Sequence, residues 1–340
     1  MKRKLKLIVA LSTLLLFNVI AISAVPPPEE PVATLLVTGL EGGSGSTVGP
    51  GGALYVTEGS TGSILRVDPQ TGDVTTFATG LPPSFVPRPG FNPDQGLLGG
   101  AMDIAFIGQT AYVLVTMVGS DLGGSDVVGI YRVDGPDSFT VIADIGAFSL
   151  ANPPIPAFFI PTGVQYALET FRGEFLVTDG HHNRMLRVTL DGQITEFMTF
   201  GNIVPTGIAV SGNTVYMAEA GPVPHGPEEG KVVAFGPKST SATEIASGAS
   251  LLVDVEFGRG RQLYALSQGD YSGDVEGSAA APNSGTLVAV NAGGTFTVII
   301  EGLDRPTSFE FIGNTAYVVT LLGDIWKITG VSSPPYGVSR

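Results

Sequence analysis

The sequence predicts an all-β fold: a six-bladed β-propeller of four-stranded antiparallel blades, closed by an N-terminal strand that completes the last blade. Three observations predict it. One strand pattern recurs six times, its copies are spaced at the length of a propeller blade, and the chain ends one strand short while beginning with one strand to spare.

The spare strand comes first, as ATLLVTG from Ala33 to Gly39. The clearest repeated element follows as ALYVTE from Ala53, and returns as TAYVLV (Thr110), EFLVTD (Glu174), TVYMAE (Thr214), QLYALS (Gln262) and TAYVVT (Thr315). Between Tyr55, Tyr112, Leu176, Tyr216, Tyr264 and Tyr317 the spacings are 57, 64, 40, 48 and 53 residues, too long for solenoid repeats. A following strand reads ILRV (Ile64), IYRV (Ile130), MLRV (Met185), VVAF (Val232), LVAV (Leu287) and IWKI (Ile325). An inner strand precedes each Tyr strand: DIAF (Asp103), GVQY (Gly163), GIAV (Gly207), DVEF (Asp254) and SFEF (Ser308), with a degenerate first copy at 46–51. Short apolar, β-branched runs bounded by Gly, Asp and Pro read as buried strands. Outer strands are VTTFATG (Val74), FTVIADI (Phe139), ITEFMTF (Ile194), TEIAS (Thr243) and FTVIIEG (Phe296). After IWKI only Thr329 to Arg340 remain, with Pro334 and Pro335, so the displaced strand must supply the sixth outer edge.

Composition agrees. The 340 residues include 47 Gly, 25 Pro and no Cys, with 43% apolar and only 14% charged residues. Such a chain buries a large core rather than remaining disordered. Without Cys there are no disulfides, thiolate metal sites or Cys nucleophiles. A net charge of −14 lacks the basic footprint of a nucleic-acid binder.

Lys2, Arg3, Lys4 and Lys6 precede an apolar run from Leu7 to Ile22, and small residues lead into Pro26. That is the pattern of a signal peptide over 1–24, with secretion or a periplasmic location as the expectation. The rival is an uncleaved anchor, because Leu5 to Val25 just reaches a bilayer's thickness. A Pro-rich linker at 25–31, one propeller domain at 32–330 and a tail at 331–340 complete the organisation. Cleavage leaves 13 basic against 31 acidic residues, and no membrane contact is expected of the mature chain.

All long insertions lie after a second strand or before the next blade, which places them on one face: 81–101, 117–128, 146–161, 221–230 and 268–285. The opposite turns, such as 68–73 and 190–193, are tight. Function concentrates on loops held out by a rigid scaffold. His181, His182 and His225 fall on this face, where with Glu228 or Glu229 they would form a mixed His/carboxylate metal site or supply a general base. The competing reading has Asp179, Gly180 and Asn183 forming a turn with solvated histidines. On the inner strands Asp103, Asp254, Glu256 and Glu310 interrupt apolar runs and, with Gln165, would line the channel mouth, a hard-oxygen set suited to Ca²⁺ or Mg²⁺. Against this stands a wet channel whose carboxylates meet water or backbone amides. Glu58, Asp179 and Glu219 recur at one repeat position, which argues for a structural role in a turn. Loop 268–285 carries Asp270, Asp274 and Glu276 without EF-hand spacing. Phe85, Phe91, Phe158 and Phe159 in the Pro-rich segments would form a protein-contact patch if exposed.

The units VPTGIAVSGNTVYMAEAG and GEFLVTDGHHNRMLRVTLDGQITEF look like NHL-type repeats. With ADIGAF (143–148), Asn152-Pro153, PTGV (161–164) and VDVEFG (253–258), the chain over about 32–330 resembles the ScyD/ScyE family of secreted propellers, named from the gene cluster for a cyanobacterial sunscreen pigment. The resemblance implies a TolB-like six-bladed propeller and an accessory role in secondary-metabolite biosynthesis, and it carries over no catalytic residue. Gluconolactonase-like relatives would imply a divalent metal held by Glu, Asn and Asp, but the inner strands here lack the Asn. The leading expectation is therefore a non-catalytic binding or scaffold protein recognising a small molecule or protein through the loop-rich face. The alternative is a metal-dependent hydrolase, lactonase or lyase at the channel mouth.

Overall fold

The computed structural model describes residues 30–87, 97–271, 273, 275 and 277–332. The expected signal segment, Phe91, Asp274, Glu276 and Pro334-Pro335 lie outside the described residues. Among the described residues, no helix is long and apolar enough to cross a membrane.

Six four-stranded antiparallel sheets form the six blades. Blade 1 contains β2 (Ser46–Val48), β3 (Leu54–Glu58), β4 (Ser63–Val67) and β5 (Val74–Ala78). A hairpin of β6 (Val86–Pro87) and β7 (Leu97–Leu98) precedes blade 2, which contains β8 (Gly100–Ile107), β9 (Thr110–Thr116), β10 (Gly129–Gly135) and β11 (Ser138–Asp144). Blade 3 has β12 (Gln165–Phe171), β13 (Glu174–Asp179), β14 (Arg184–Val188) and β15 (Ile194–Thr199); blade 4 has β16 (Pro205–Ser211), β17 (Thr214–Glu219), β18 (Gly230–Phe235) and β19 (Thr243–Ala249). Blade 5 has β20 (Leu252–Phe257), β21 (Leu263–Ser267), β22 (Gly285–Val290) and β23 (Phe296–Leu303). Blade 6 has β24 (Pro306–Ile312), β25 (Thr315–Thr320) and β26 (Ile325–Thr329), and its outer strand is β1 (Val32–Val37). In that closure Val32 lies opposite Thr329 and Val37 opposite Ile325.

The core is divided among the interfaces between blades, because each sheet has two faces and only the neighbouring blade can cover them. Tyr55 meets Phe106 of blade 2 at 4.8 Å, Tyr112 meets Phe175 of blade 3 at 4.8 Å, Tyr216 meets Phe257 of blade 5 at 5.1 Å, and Tyr264 meets Phe311 of blade 6 at 4.9 Å. The recurrent Tyr is thus a wedge between neighbours, its polar tip bonded to backbone where it is deepest: Tyr317 donates to the Pro69 carbonyl at 2.9 Å and Tyr264 to that of Val331 at 3.1 Å. The sixth interface joins Val37, Tyr317, Val319 and Ile325 of blade 6 to Leu54, Val56 and Val67 of blade 1.

Two local expectations change. The insertion 146–161 opens with a helix, α1 (Ile145–Ala151), capped by the Asp144 carboxylate accepting from the Ala147 amide at 2.7 Å. In blade 3 the inner strand is displaced by four residues from its predicted register: Glu169, not Gln165, lies opposite Leu176. Both GVQY and ALET carry the small–apolar–polar pattern, and the turn through Gly163 (φ +81°) delays the strand.

Removing residues through Val37 is expected to leave β26 as a bare edge. The shortened protein should melt at lower temperature and self-associate in size-exclusion chromatography; an unchanged melt and a monodisperse peak would contradict the closure.

Candidate functional site

The six inner strands β2, β8, β12, β16, β20 and β24 surround the central channel in chain order. Pairing with the Tyr strand puts Gly45, Asp103, Ala167, Gly207, Asp254 and Ser308 on one level of the ring. Gly–Asp–small therefore occurs twice, three blades apart. Asp103 accepts the amide of Ile104 at 2.8 Å with one oxygen and that of Leu168, on blade 3, at 2.7 Å with the other. Asp254 does the same with Val255 at 2.8 Å and Phe309, on blade 6, at 2.9 Å. A Cβ on Gly45 would fall on the Asp103 carboxylate and 2.6 Å from the Met102 carbonyl, and one on Gly207 would fall on Asp254. The glycines make room for the aspartates, and the aspartates stitch blade 2 to blade 3 and blade 5 to blade 6.

The next inward level holds Thr47, Ala105, Glu169, Ala209, Glu256 and Glu310. The channel cavity, about 110 Å³, is lined by Asp103, Glu169, Asp254, Glu256 and Glu310 and by no Lys, Arg or His among the described residues. Burial raises all five carboxyls, and mutual repulsion adds to it for Asp103, Asp254, Glu256 and Glu310: Glu169 and Asp254 to about 7, the other three well above the usual carboxylate range. With no Lys, Arg or His among the described lining residues to offset them, Glu169 and Asp254 take up protons near neutrality, so the channel presents hydroxyl donors and carboxylate acceptors together. As a metal site the set does not fit. Both oxygens of each aspartate are engaged by backbone amides, and among the described residues no three His, Asp or Glu side chains gather to hold an ion.

Above the channel, toward the loop-rich face, lies a vestibule of about 90 Å³. Its wall is mainly apolar, from Leu98, Met102, Met117, Val164, Val253 and Tyr271, with His225 and Gln268 among them. Met102, Tyr166, Thr206, Val253 and Gln268 line both spaces, which therefore adjoin. The loops that build it are insertions identified in the sequence, after the second strands of blades 2, 4 and 5 and before blade 2.

Among the described residues His181, His182 and His225 do not gather with other His, Asp or Glu side chains into a three-ligand metal group. His182 is buried, with Nδ1 3.0 Å from Asp179 and Nε2 3.2 Å from the Ile160 carbonyl. Arg184, also buried, donates to Asp179 (2.8 Å), Ser149 (3.0 Å), Glu196 (3.0 Å) and the Asn152 carbonyl (2.7 Å). This network clamps α1 and its following loop onto blade 3, so His182 is held in a buried network rather than solvated in a turn. His181 stacks on Phe158 at 4.7 Å and lies 3.2 Å from the Tyr166 hydroxyl. His225 stands in the vestibule, its ring 5.2 Å from Tyr271. Glu228 is exposed, and Glu229 accepts the Gly226 amide at 2.9 Å.

Gln165 leaves the channel set. It is fully buried, accepts from Thr116 at 2.7 Å and donates to Asp179 at 2.9 Å. Glu169 takes its place, and no signal short of the strand register marked it. Phe159 and Phe85 are exposed, at 71% and 41%, whereas Phe158 is half-buried against His181.

A carboxyl raised on folding binds more protons in the folded state, so stability falls as pH rises from the ordinary carboxylate range toward 7. The melting temperature should therefore increase from pH 7.5 to 5.5, and Glu256→Gln or Glu310→Gln should flatten that slope; a rise with pH would refute the assignment. Gly45→Ala and Gly207→Ala should each destabilise by about 1–3 kcal/mol in chemical denaturation, as overpacking does.

No protein-family model and no curated protein sequence matches the chain. Solved structures do. A gluconolactonase from Xanthomonas campestris aligns with TM-score 0.60 at 13% identity, over 89% of this chain and 90% of its own. A glucose dehydrogenase-type oxidoreductase from Thermus thermophilus gives 0.58 at 16%, over 88% and 99%. Virginiamycin B lyase from Staphylococcus aureus gives 0.52 at 16%, over 88% and 99%. At such identities the likeness establishes the fold, and the chain is a six-bladed propeller similar to those of gluconolactonase and virginiamycin B lyase.

Proposed function

We propose that the protein is an exported binding propeller that receives a small molecule through its loop-rich face, with an accessory role in secondary-metabolite assembly of the kind the ScyD/ScyE resemblance implies. The observation that carries this reading is the apolar vestibule adjoining a channel lined by carboxyls raised by burial. An apolar body with hydroxyl or carbonyl groups at one end matches both parts, since binding sites combine an apolar wall with a few converging polar groups. The acidic surface of the mature chain disfavours anionic ligands.

A second reading, a hydrolase, lactonase or lyase, draws support from two sources. The similar structures are propeller enzymes, and Glu169, with its pKa pushed up to about 7, faces the channel as a general acid–base group would. Among the described residues no three His, Asp or Glu side chains gather to hold an ion, so this reading rests on proton transfer by Glu169.

Catechol, an aromatic ring bearing hydroxyls, is a direct probe. In methyl-labelled methionine NMR it should shift Met102 and Met117, with Tyr166→Ala weakening binding about tenfold; shifts confined to other methionines would overturn the binding reading. Divalent ions should leave the melting temperature unchanged. A saturable rise, lost in Glu169→Gln, would favour the metal-dependent enzyme instead. N-terminal sequencing of the cell-produced protein should begin at or near Val25, and retention of 1–24 would oppose release.

A further inference from the structure

We propose a second binding site on the rim of blade 4, in which Glu219 accepts hydrogen bonds from the alkylammonium group of a small molecule. The inference starts from the repeat. Glu58, Asp179 and Glu219 each stand at the end of the second strand, three residues beyond Tyr55, Leu176 and Tyr216, and their exposures are 6%, 0% and 5%. A buried carboxylate needs donors, because leaving it without them costs several-fold more than a hydrogen bond returns.

In blade 1 those donors are present: Glu58 accepts the Glu41 amide at 2.7 Å and the Thr61 hydroxyl at 3.0 Å. In blade 3 Asp179 is surrounded by Gln165, His182 and Arg184. In blade 4, among the described residues, no hydrogen-bond donor reaches Glu219, and burial pushes its pKa up to about 7. Lys231, its cross-strand neighbour, has its ammonium on Glu244 at 2.7 Å.

What Glu219 does face is a cleft of about 520 Å³. Asn202 holds one wall by exchanging two hydrogen bonds with the Val223 backbone, at 2.7 and 3.0 Å. Gly221 (φ +105°) keeps the other side open, since a Cβ there would lie 3.1 Å from that of Glu229. Glu228 and Glu229 stand exposed at the mouth, and Lys231 is the cationic group of the lining. The rim therefore attracts cations and repels anions, and the largely buried carboxylate at its base opens onto the cleft with no protein donor upon it among the described residues. An ammonium on a short alkyl chain supplies up to three. The site is separate from the channel and does not depend on how the channel functions.

The test uses n-butylammonium, with 1-butanol as its uncharged counterpart, in calorimetric titrations at low ionic strength. The native protein should bind the amine and not the alcohol, and Glu219→Gln should weaken binding at least tenfold. Glu219→Gln should melt at the same or a higher temperature, whereas Glu58→Gln should melt lower, because only the latter loses internal hydrogen bonds. Lys231→Met, which removes the competing ammonium, should bind the amine as well as or better than the native chain. Equal affinity of native and Glu219→Gln proteins, equal binding of butanol, or a several-degree loss of stability in Glu219→Gln would each overturn the proposal.

Discussion

Every other feature depends on the antiparallel pairing of β1 with β26. A propeller blade has two apolar faces and no means of covering either by itself, so stability resides in the six interfaces rather than in any blade. Five of those interfaces lie between blades consecutive in sequence. The sixth brings the chain's two ends together, and it includes Val37 and Ile325 against Leu54 and Val67. Without it, blades 1 and 6 would each expose a face, and β26 an unpaired edge.

Closure also fixes the channel. Once six inner strands form a ring, residues at equivalent register meet across its axis, and the ring is too narrow for six side chains of equal size. The alternation of Gly45, Asp103 and Ala167 with Gly207, Asp254 and Ser308 resolves that crowding. Small residues yield space, and each aspartate reaches across to an amide of the following blade. The cost is electrostatic. Five carboxyls share a space that no Lys, Arg or His lines among the described residues, and burial with mutual repulsion raises their pKa values. On the proposed reading, the same property suits the channel to a hydroxyl-bearing ligand.

The loop-rich face shows how one repeat position acquires different roles. At the end of the second strand, blade 1 uses its carboxylate to hold a local turn and blade 3 uses it to anchor α1 through Arg184 and His182. Blade 4 leaves it facing a cleft. Identical backbone positions impose burial on all three; the neighbouring backbone and side-chain donors decide whether the charge is satisfied internally.

The sequence by itself determined the repeat, the number of blades, the displaced strand and the face that carries the insertions, because these follow from apolar periodicity and chain connectivity, which are local. It also marked Asp103, Asp254, Glu256 and Glu310 as polar breaks in apolar strands. Tertiary structure alone decided what those residues meet. Glu169 replaced Gln165 because strand register is set by pairing with β13, and two nearby tetrapeptides carry the same pattern. His182 became part of a buried clamp because Asp179 and Arg184 lie across a turn that spacing does not reveal. Whether a charged side chain finds a partner depends on distances between segments far apart in the chain, and folding sets those distances.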